Sequence, residues 1–266
     1  MIDKQLLKLS AAAYGVNLND RALERFDTYA EQLVVWNEKI NLTAITEPDD
    51  IVMKHFVDSV VVLGKVALPK EASVLDVGTG AGFPGLVWKI ARPDLNVTLM
   101  DSTGKKLDVV RNICEQLDFE TDDLAPADEY GIPLYGQDKG PVHIMHARAE
   151  EAGQNKEFRE RFDIVTSRAV AQLQILSELC LPFVKVKGQF LAMKGPEGHK
   201  EMTEALGAIR TLGGRVQEVL EYELVSAYED AGDASALRSI VQVKKKKKTP
   251  YAFPRRGDRI KKVPLV

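Results

Sequence analysis

The sequence predicts an α/β fold in which a mostly parallel sheet of seven strands carries helices on both faces and follows a helical segment. Three features of the sequence support this fold. From Ala72 onward, short apolar strands alternate with amphipathic helical stretches, a glycine-rich turn directly follows the first strand, and the first 70 residues show only helical periodicity. Alternation of strand and helix is typical of parallel sheets built from crossover units.

The N-terminal segment, residues 1–70, is predicted to be a helical extension packed on the rest of the chain. A stripe of apolar residues recurs there at helical spacing: Leu23, Phe26, Ala30, Leu33 and Val34. A second helix is predicted over residues 50–65. The Leu68-Pro69-Lys70 stretch marks the boundary with a larger domain, residues 71–266.

The larger domain contains seven predicted strands. Five apolar stretches, each followed or preceded by a helical stretch, predict strands at 73–77, 96–101, 142–147, 162–167 and 188–193. The intervening helices are predicted at 83–92, 103–117, 151–160 and 169–184. Two later strands, 219–225 and 238–243, are joined by a loop containing Gly232 and predict an antiparallel pair at the sheet edge.

Residues 119–141 interrupt this pattern. They contain six acidic residues, one lysine and no apolar period, for a net charge of −5. This composition predicts a surface insertion between a helix and the third strand, and its charge argues against contact with RNA.

The composition is that of an ordinary soluble globular chain, with 45% hydrophobic and 28% charged residues among 266. The two cysteines, Cys114 and Cys180, lie far apart on apolar segments and are interpreted as reduced core thiols, which favours the cytoplasm. No stretch of about 18 uncharged apolar residues occurs, so neither a membrane span nor a signal peptide is predicted.

Positive charge is concentrated at the C-terminus. Residues 244–266 carry ten bases and one acid, or +9, whereas the whole chain has a net charge of −3. Such asymmetry is typical of proteins that contact nucleic acid. A solvated tail, or an edge strand that its lysines protect against aggregation, is the alternative interpretation.

The most informative motif is the run Asp76-Val-Gly-Thr-Gly-Ala-Gly-Phe-Pro-Gly, which directly follows the first strand. Its glycines, Gly78, Gly80 and Gly82, allow a tight turn and close approach of a ligand to the backbone. The dinucleotide-binding motif requires glycine or alanine at position 83, where this chain has Phe83, which counts against NAD. The phosphate-binding loop is excluded as well, because Leu86 and Val87 replace its lysine and hydroxyl residue.

Two further acids stand at the ends of later strands. Asp101 lies 25 residues beyond Asp76, where a carboxylate can accept hydrogen bonds from both hydroxyls of a ribose. Glu150 follows the third strand. Together with the glycine turn, these acids predict a site for an adenosine-containing ligand.

These motifs, in this order, resemble those of the ribosomal RNA small subunit methyltransferase G family, also called glucose-inhibited division protein B. The matching pieces are Asn37-Glu-Lys-Ile-Asn-Leu-Thr-Ala-Ile, His55-Phe-Val-Asp-Ser, the run from Asp76 to Gly85, Leu99-Met-Asp-Ser, Arg148-Ala-Glu, Ser167-Arg-Ala-Val-Ala and a basic C-terminus. The resemblance covers nearly all of the chain except the acidic insertion. It implies a Rossmann-like class I methyltransferase fold with S-adenosyl-L-methionine (AdoMet) as cofactor.

The resemblance also implies which residues bind the cofactor. Gly78 and Phe83 would line its methionine and adenosine side, Asp101 would hold the ribose, and Ala149 with Glu150 would meet the adenine. The complete expected set is Asp76, Gly78, Gly80, Phe83, Asp101, Ser102, Ala149, Glu150 and Arg168. Asp76 itself is expected to order the glycine turn by accepting backbone N–H groups.

The reaction implied by the resemblance is transfer of the AdoMet methyl group to N7 of a guanine in small-subunit (16S) ribosomal RNA, free or in an assembling subunit. Because N7 carries a lone pair and no proton at neutral pH, the reaction needs alignment rather than a general base. The catalytic residue is left open, with Arg168, His55 and Asp58 as candidates. Residues predicted to contact RNA are Lys194, Arg255, Arg256, Lys261 and Lys262.

Other functions remain open from the sequence alone. A class I methyltransferase acting on a small molecule or a protein would keep the same cofactor residues, and so would a non-catalytic AdoMet-binding regulator. No metal site is predicted, because His143 and His146 fall on opposite faces of a strand and no cysteine pair accompanies them. A monomer is expected.

Overall fold

The computed structural model of the chain describes residues 1–123, 140–224, 226 and 237–266. In these residues the strands are β1 (Ser73–Val77), β2 (Asn96–Asp101), β3 (Thr121–Asp123), β4 (Val142–His146), β5 (Phe162–Arg168), β6 (Val184–Lys194), β7 (Gly214–Glu223) and β8 (Leu237–Lys245). They form one sheet in the order β3-β4-β2-β1-β5-β6-β8-β7.

Helices cover both faces of this sheet. The α-helices are α1 (Lys4–Ala13), α2 (Asp20–Asn37), α3 (Pro48–Asp50), α4 (Asp58–Lys65), α5 (Gly85–Ala91), α6 (Gly104–Gln116), α7 (Ala149–Ala152), α8 (Leu173–Cys180), α9 (Gly198–Thr211) and α10 (Gly257–Lys262). A π-helix spans Ile51–Val57, and a 3-10 turn spans Leu181–Phe183. Within the described ranges, no helix has both the length and the apolarity needed to cross a membrane.

The predicted α/β architecture is confirmed. Strands β1 to β6 pair in parallel, and β8 pairs antiparallel with both β6 and β7. The antiparallel pair predicted at the sheet edge is therefore present. Val225 and the loop containing Gly232 lie outside the described residues.

The sheet has eight strands, and the prediction of seven was wrong. The additional strand is β3, which pairs in parallel with β4 at the opposite edge of the sheet. Its sequence, Thr-Asp-Asp, has no apolar alternation. The strand is held by backbone pairing with β4 and by side-chain contacts of Asp122 with His143 and of Asp123 with Arg111. It begins the segment predicted as a surface insertion, of which residues 124–139 lie outside the described residues.

Three predicted helices differ from those observed. The helix predicted over 50–65 is interrupted by the π-helix, and the helix predicted over 169–184 is limited to α8 and the 3-10 turn that follows. The helix predicted over 151–160 is limited to α7 and is followed by turns, in which the Asn155 side chain accepts from the N–H of Glu157. Asparagine favours such local bonds over a continued helix.

Two hydrophobic cores enclose the sheet because successive strand residues point to opposite faces. Val74 packs in the core that contains the N-terminal helices with α5 and α6, whereas Leu75 packs in the core formed with α7, α8 and α9. The helical N-terminal segment thus shares a continuous core with one face of the sheet. This packing brings the π-helix and α4 to the carboxyl end of β5.

Candidate active site

A cleft of about 430 Å³ lies beyond the carboxyl ends of β1, β2, β4 and β5. This is the position at which open α/β sheets bind ligands. Six of the nine residues predicted to bind cofactor line this cleft: Gly78, Asp101, Ser102, Ala149, Glu150 and Arg168. The remaining three, Asp76, Gly80 and Phe83, are not among its lining residues.

Asp76 is hydrogen-bonded to two residues of the glycine turn and fixes its conformation. Its Oδ2 accepts from the hydroxyl of Thr79 at 2.7 Å and from the N–H of Gly85 at 2.9 Å. The side chain is completely buried, and this burial raises the pKa of Asp76 to about 7. Through these two bonds Asp76 orders the glycine turn beside the cleft.

Asp101 joins the glycine turn to the end of β2. Its Oδ2 accepts from the N–H of Gly80 at 3.1 Å, and its Oδ1 accepts from the N–H of Thr103 at 2.8 Å. An ionised carboxylate has about four acceptor positions, so two positions remain after these two bonds. Asp101 is held rigidly at the cleft and retains acceptor capacity for a diol.

Gly78 occupies a position that only glycine tolerates. Its φ is +74°, and a Cβ there would lie 2.6 Å from Cγ2 of Val170. Val170 is brought there by the turn after β5, in which Ala169 also has a positive φ of 57°. The two loops that bound the cleft therefore touch at Gly78.

Phe83 packs against the N-terminal helices and is not among the residues that line the cleft, so its contact with the cofactor stays a prediction. Its ring stacks on His55 at a centroid distance of 4.5 Å and on Tyr29 at 5.3 Å. The Tyr29 hydroxyl also donates to the carbonyl of Ala81 at 2.6 Å. The N-terminal helices thus hold the glycine turn from the side opposite the cleft.

Arg168 is the centre of a polar cluster at the end of β5. It donates to Asp58 Oδ2 at 3.1 Å and to the carbonyl of Lys54 at 3.3 Å, and its second terminal nitrogen lies 3.2 Å from Nδ1 of His55. Its guanidinium carbon lies 4.8 Å from the ring centroid of Phe83. The three catalytic candidates from the sequence, Arg168, His55 and Asp58, are therefore in direct contact.

The hydrogen bonds fix the protonation of His55. An arginine only donates, so Nδ1 of His55 accepts from Arg168, and Nε2 carries the proton donated to the Thr43 hydroxyl at 2.9 Å. Burial and the adjacent Arg168 charge lower the pKa of His55 to about 3. His55 is neutral at physiological pH, and its one ring acceptor is occupied.

A second cavity of about 290 Å³ lies on the other side of Arg168 and Ala169. Besides these two residues, its lining includes Asp58, Tyr222 and Arg238. The Tyr222 hydroxyl donates to Asp58 Oδ1 at 2.8 Å. Arg168 and Ala169 therefore line both the cleft and this second cavity.

Two of the residues predicted to contact RNA have partners within the protein. Lys194 is only 7% exposed and bonds to Glu201 and to the carbonyl of Ala171, each at 2.7 Å. Arg255 forms a two-pronged ion pair with the fully buried Glu178, at 2.9 Å and 2.7 Å. These bonds give both side chains a structural role, and their contact with RNA stays a prediction.

The other three predicted RNA contacts stay on the surface. Arg256 is 94% exposed, and Lys261 and Lys262 are exposed on α10. Lys261 also lines the cofactor cleft, together with Gly257 and Ile260. The segment after β8 therefore returns to the cleft and forms part of its wall.

Several residues of the site were not predicted from the sequence. Tyr29, Tyr222, Gly257 and Ile260 belong to segments far from the motifs, and only the tertiary fold brings them to the site. For Tyr29 and Tyr222 the sequence offered one indication. A tyrosine that is buried needs a hydrogen-bond partner for its hydroxyl, so each was a candidate for a polar contact.

The residues of the cleft fit an adenosine-containing cofactor. Asp101 supplies a carboxylate for a ribose diol, and Glu150 supplies a second acceptor at the end of β4. Apolar side chains of Met100, Ile175 and Leu179 face the same space and can contact a purine ring. The cleft volume also falls within the usual range for small-molecule sites.

Comparison with known proteins identifies relatives over almost the whole chain. Residues 22–125 and 138–226 match the family model described as rRNA small subunit methyltransferase G. The chain is 43% identical over 255 residues to the Ribosomal RNA small subunit methyltransferase G of Streptococcus sanguinis (strain SK36), covering 96% of each chain. It is 39% identical over 260 residues to the protein of that name from Clostridium perfringens (strain 13 / Type A), covering 98% of each.

Solved structures show the same fold at low sequence identity. The chain is similar to precorrin-6y C5,15-methyltransferase from Geobacter metallireducens GS-15, with a TM-score of 0.50 and 14% identity. The similar region covers 76% of this chain and 90% of that one. This likeness confirms the predicted class I methyltransferase fold.

Proposed function

Because the chain belongs to the rRNA small subunit methyltransferase G family, we propose that it transfers the methyl group of AdoMet to N7 of a guanine in small-subunit (16S) ribosomal RNA. The observation that supports this best is the pair of cavities that meet at Arg168 and Ala169. One cavity suits the methyl donor, and the other suits the acceptor base.

The cleft residues bind and orient the donor. Asp101 accepts from the ribose hydroxyls, Glu150 accepts from the adenine, and Gly78 allows close approach of the backbone. When bound, AdoMet supplies an electrophilic methyl group on a positively charged sulfur. Ser102, Ala149 and α10 line the cleft and would exclude water from the bound donor.

The polar cluster positions the acceptor without removing a proton. Guanine N7 has an in-plane lone pair and no proton to lose, so no general base is required. The low pKa of His55 and its occupied Nδ1 fit that chemistry, because this residue holds the Arg168 side chain in place. Asp58 also holds the Arg168 side chain in place, because it accepts a hydrogen bond from the other terminal nitrogen of that guanidinium.

The second cavity offers recognition groups for guanine. Arg168 and Arg238 present guanidinium groups there, and arginine is the usual partner of guanine O6. The negative charge of Asp58 lies beside the position where the purine gains positive charge during methylation. A cavity of this size accepts one base that has left its helical stack, so the target is a single-stranded or flipped guanine.

Transfer of label from tritiated AdoMet tests the proposal. We expect label in purified small ribosomal subunits or their RNA, and none in total cell protein or in small-molecule extracts. Label only in protein or small molecules would contradict the RNA substrate while retaining the cofactor site. Binding of AdoMet with no transfer to any fraction would favour a regulatory protein.

A further inference from the structure

A group of basic side chains lies far from the cleft, on the edge of the sheet formed by β7 and β8. Arg210, Arg215, Lys246 and Lys247 surround a shallow cavity of about 340 Å³. We call these four residues the distal basic surface. Arg210 and Arg215 were not among the residues predicted to contact RNA, whereas Lys246 and Lys247 belong to the basic segment 244–266, whose charge favours contact with nucleic acid.

The backbone holds this surface in place. The carbonyl of Gly213 accepts from the N–H groups of Lys246 and Lys247, at 2.8 Å and 3.0 Å. Gly213 has a φ of +86°, and a Cβ there would lie 2.3 Å from the carbonyl oxygen of Lys247. The lysine loop is therefore fastened to the end of α9 by a contact that requires glycine.

The lysine run is also anchored from inside. Lys245 is fully buried, and its Nζ donates to the Thr249 hydroxyl at 2.6 Å and lies 3.7 Å from Glu160. Beyond Lys245, where β8 ends, Lys246, Lys247 and Lys248 are exposed. The buried lysine thus anchors the end of the strand from which the exposed lysines continue.

Within the part of the chain that the structure describes, the charges of this surface form no ion pairs. Among the described residues, no carboxylate oxygen lies within 4.0 Å of a side-chain nitrogen of Arg210, Arg215, Lys246 or Lys247. All four residues are exposed. A cluster of this kind on a chain with a net negative charge attracts a polyanion.

The surface lies at the opposite end of the sheet from the cleft. Ser239 of β8 pairs with Lys194, which lies beside the second cavity, and Lys244 of β8 pairs with Arg215. The stretch from Ser239 to Lys245 spans about 20 Å at the usual rise per strand residue. A ligand on the distal basic surface therefore does not contact the base in the active site.

We propose that the distal basic surface binds the phosphate backbone of the same small-subunit RNA, about 20 Å from the target guanine, and thereby orients the RNA on the enzyme. This inference rests on the proposed function. The surface contains cations and aliphatic groups such as Leu206 and Val216, without aromatic side chains on which bases would stack. Such a surface binds phosphates irrespective of sequence.

The test replaces three of the four charges with Arg210→Gln, Arg215→Gln and Lys247→Gln in one variant. We expect KM for the RNA to rise about tenfold near physiological salt, with little change in kcat or in the Kd for AdoMet. The slope of log Kd against log salt concentration should decrease by about 0.7 to 0.9 for each phosphate that the variant no longer neutralises.

The matched control removes the same charge from the N-terminal segment, residues 1–70, through Arg21→Gln, Lys39→Gln and Lys65→Gln. An equal loss of RNA affinity in both variants, or no loss in the first, would overturn the proposal. A loss seen with intact subunits but not with protein-free RNA would assign the surface to a ribosomal protein, and would overturn it as well.

Direct RNA binding is measured in parallel by filter retention. If the wild-type chain transfers no methyl group to RNA, the proposed function fails, and the binding data still test the surface. If the wild-type chain methylates RNA and the triple variant binds and methylates it equally well, only the distal surface fails.

Discussion

Arg168 and Asp58 form an ion pair across 3.1 Å, with side chains that are only 14% and 7% exposed. The pair joins the carboxyl end of β5 to the first turn of α4. Because Arg168 also borders both cavities, the N-terminal helices determine where this guanidinium lies. The helical N-terminal segment is therefore expected to contribute to catalysis as well as to packing.

Replacing Asp58 tests this coupling. Asp58→Ala leaves Arg168 without its carboxylate, and we expect a loss of about 3 kcal/mol in the free energy of unfolding. We also expect kcat to fall at least tenfold, because the guanidinium loses its fixed position. Tyr222→Phe removes one hydrogen bond from the same carboxylate and should cost only about 1 kcal/mol. Chemical denaturation and single-turnover kinetics measure both quantities, and equal effects of the two variants would contradict this account.

Asp101 is expected to provide much of the affinity for AdoMet. Asp101→Ala should weaken binding by roughly 1–3 kcal/mol, because charge-assisted hydrogen bonds to the ribose are lost. Asp101→Asn keeps an oxygen acceptor and should retain part of the affinity. Isothermal titration of the folded variants provides the values. An unchanged Kd in Asp101→Ala would remove this residue from the ribose-binding role.

Replacing the adjacent residues Arg255 and Arg256 is expected to have different effects on stability and on RNA binding. Arg255→Ala leaves the buried Glu178 unpaired, which should reduce the free energy of unfolding by about 3–5 kcal/mol. Arg256→Ala removes an exposed side chain and should leave stability unchanged while weakening RNA binding. Thermal unfolding and filter binding separate the two effects. A stable Arg255→Ala variant with reduced RNA affinity would contradict the structural role assigned to Arg255.

The buried carboxyl of Asp76 predicts a pH dependence of stability. Its pKa is raised from 3.8 to about 7, so the folded state binds a proton that the unfolded state releases. The resulting stabilisation is fully present below about pH 4 and is lost as pH rises through about 7, by at most about 4 kcal/mol. Relative to Asp76→Asn, the free energy of unfolding of the wild type should therefore decline over this window. If the free energy of unfolding of both proteins depended on pH in the same way, a raised pKa for Asp76 would be contradicted.

The parallel part of the sheet and the glycine turn were predictable because local patterns specify them. Strand and helix periods alternate from Ala72 onward, and the positions of Asp76 and Asp101 follow from the strands that precede them. The edge strand β3 was not predictable, since Thr121–Asp123 has no apolar pattern and is defined by pairing with β4.

Contacts between residues that are distant in the chain explain the other features that the sequence did not predict. The sequence does not distinguish Arg255 from Arg256, because the distinction depends on Glu178, 77 positions earlier. The run of five lysines looks uniform, yet strand alternation buries Lys245. His55 and Asp58 were named as candidates from the sequence, but their shared partner Arg168 lies more than 100 positions away, so only the fold shows that the three side chains touch.

The identity of the methylated nucleoside tests the central claim most directly. Small subunits lacking the modification are incubated with tritiated AdoMet, and their RNA is digested and separated into nucleosides. The account predicts label in 7-methylguanosine alone, with comparable transfer by a His55→Asn variant, whose amide can still accept from Arg168 but cannot act as a base. Label in a nucleoside methylated at carbon, at an exocyclic amine or at the ribose would contradict the mechanism, because those positions require removal of a proton.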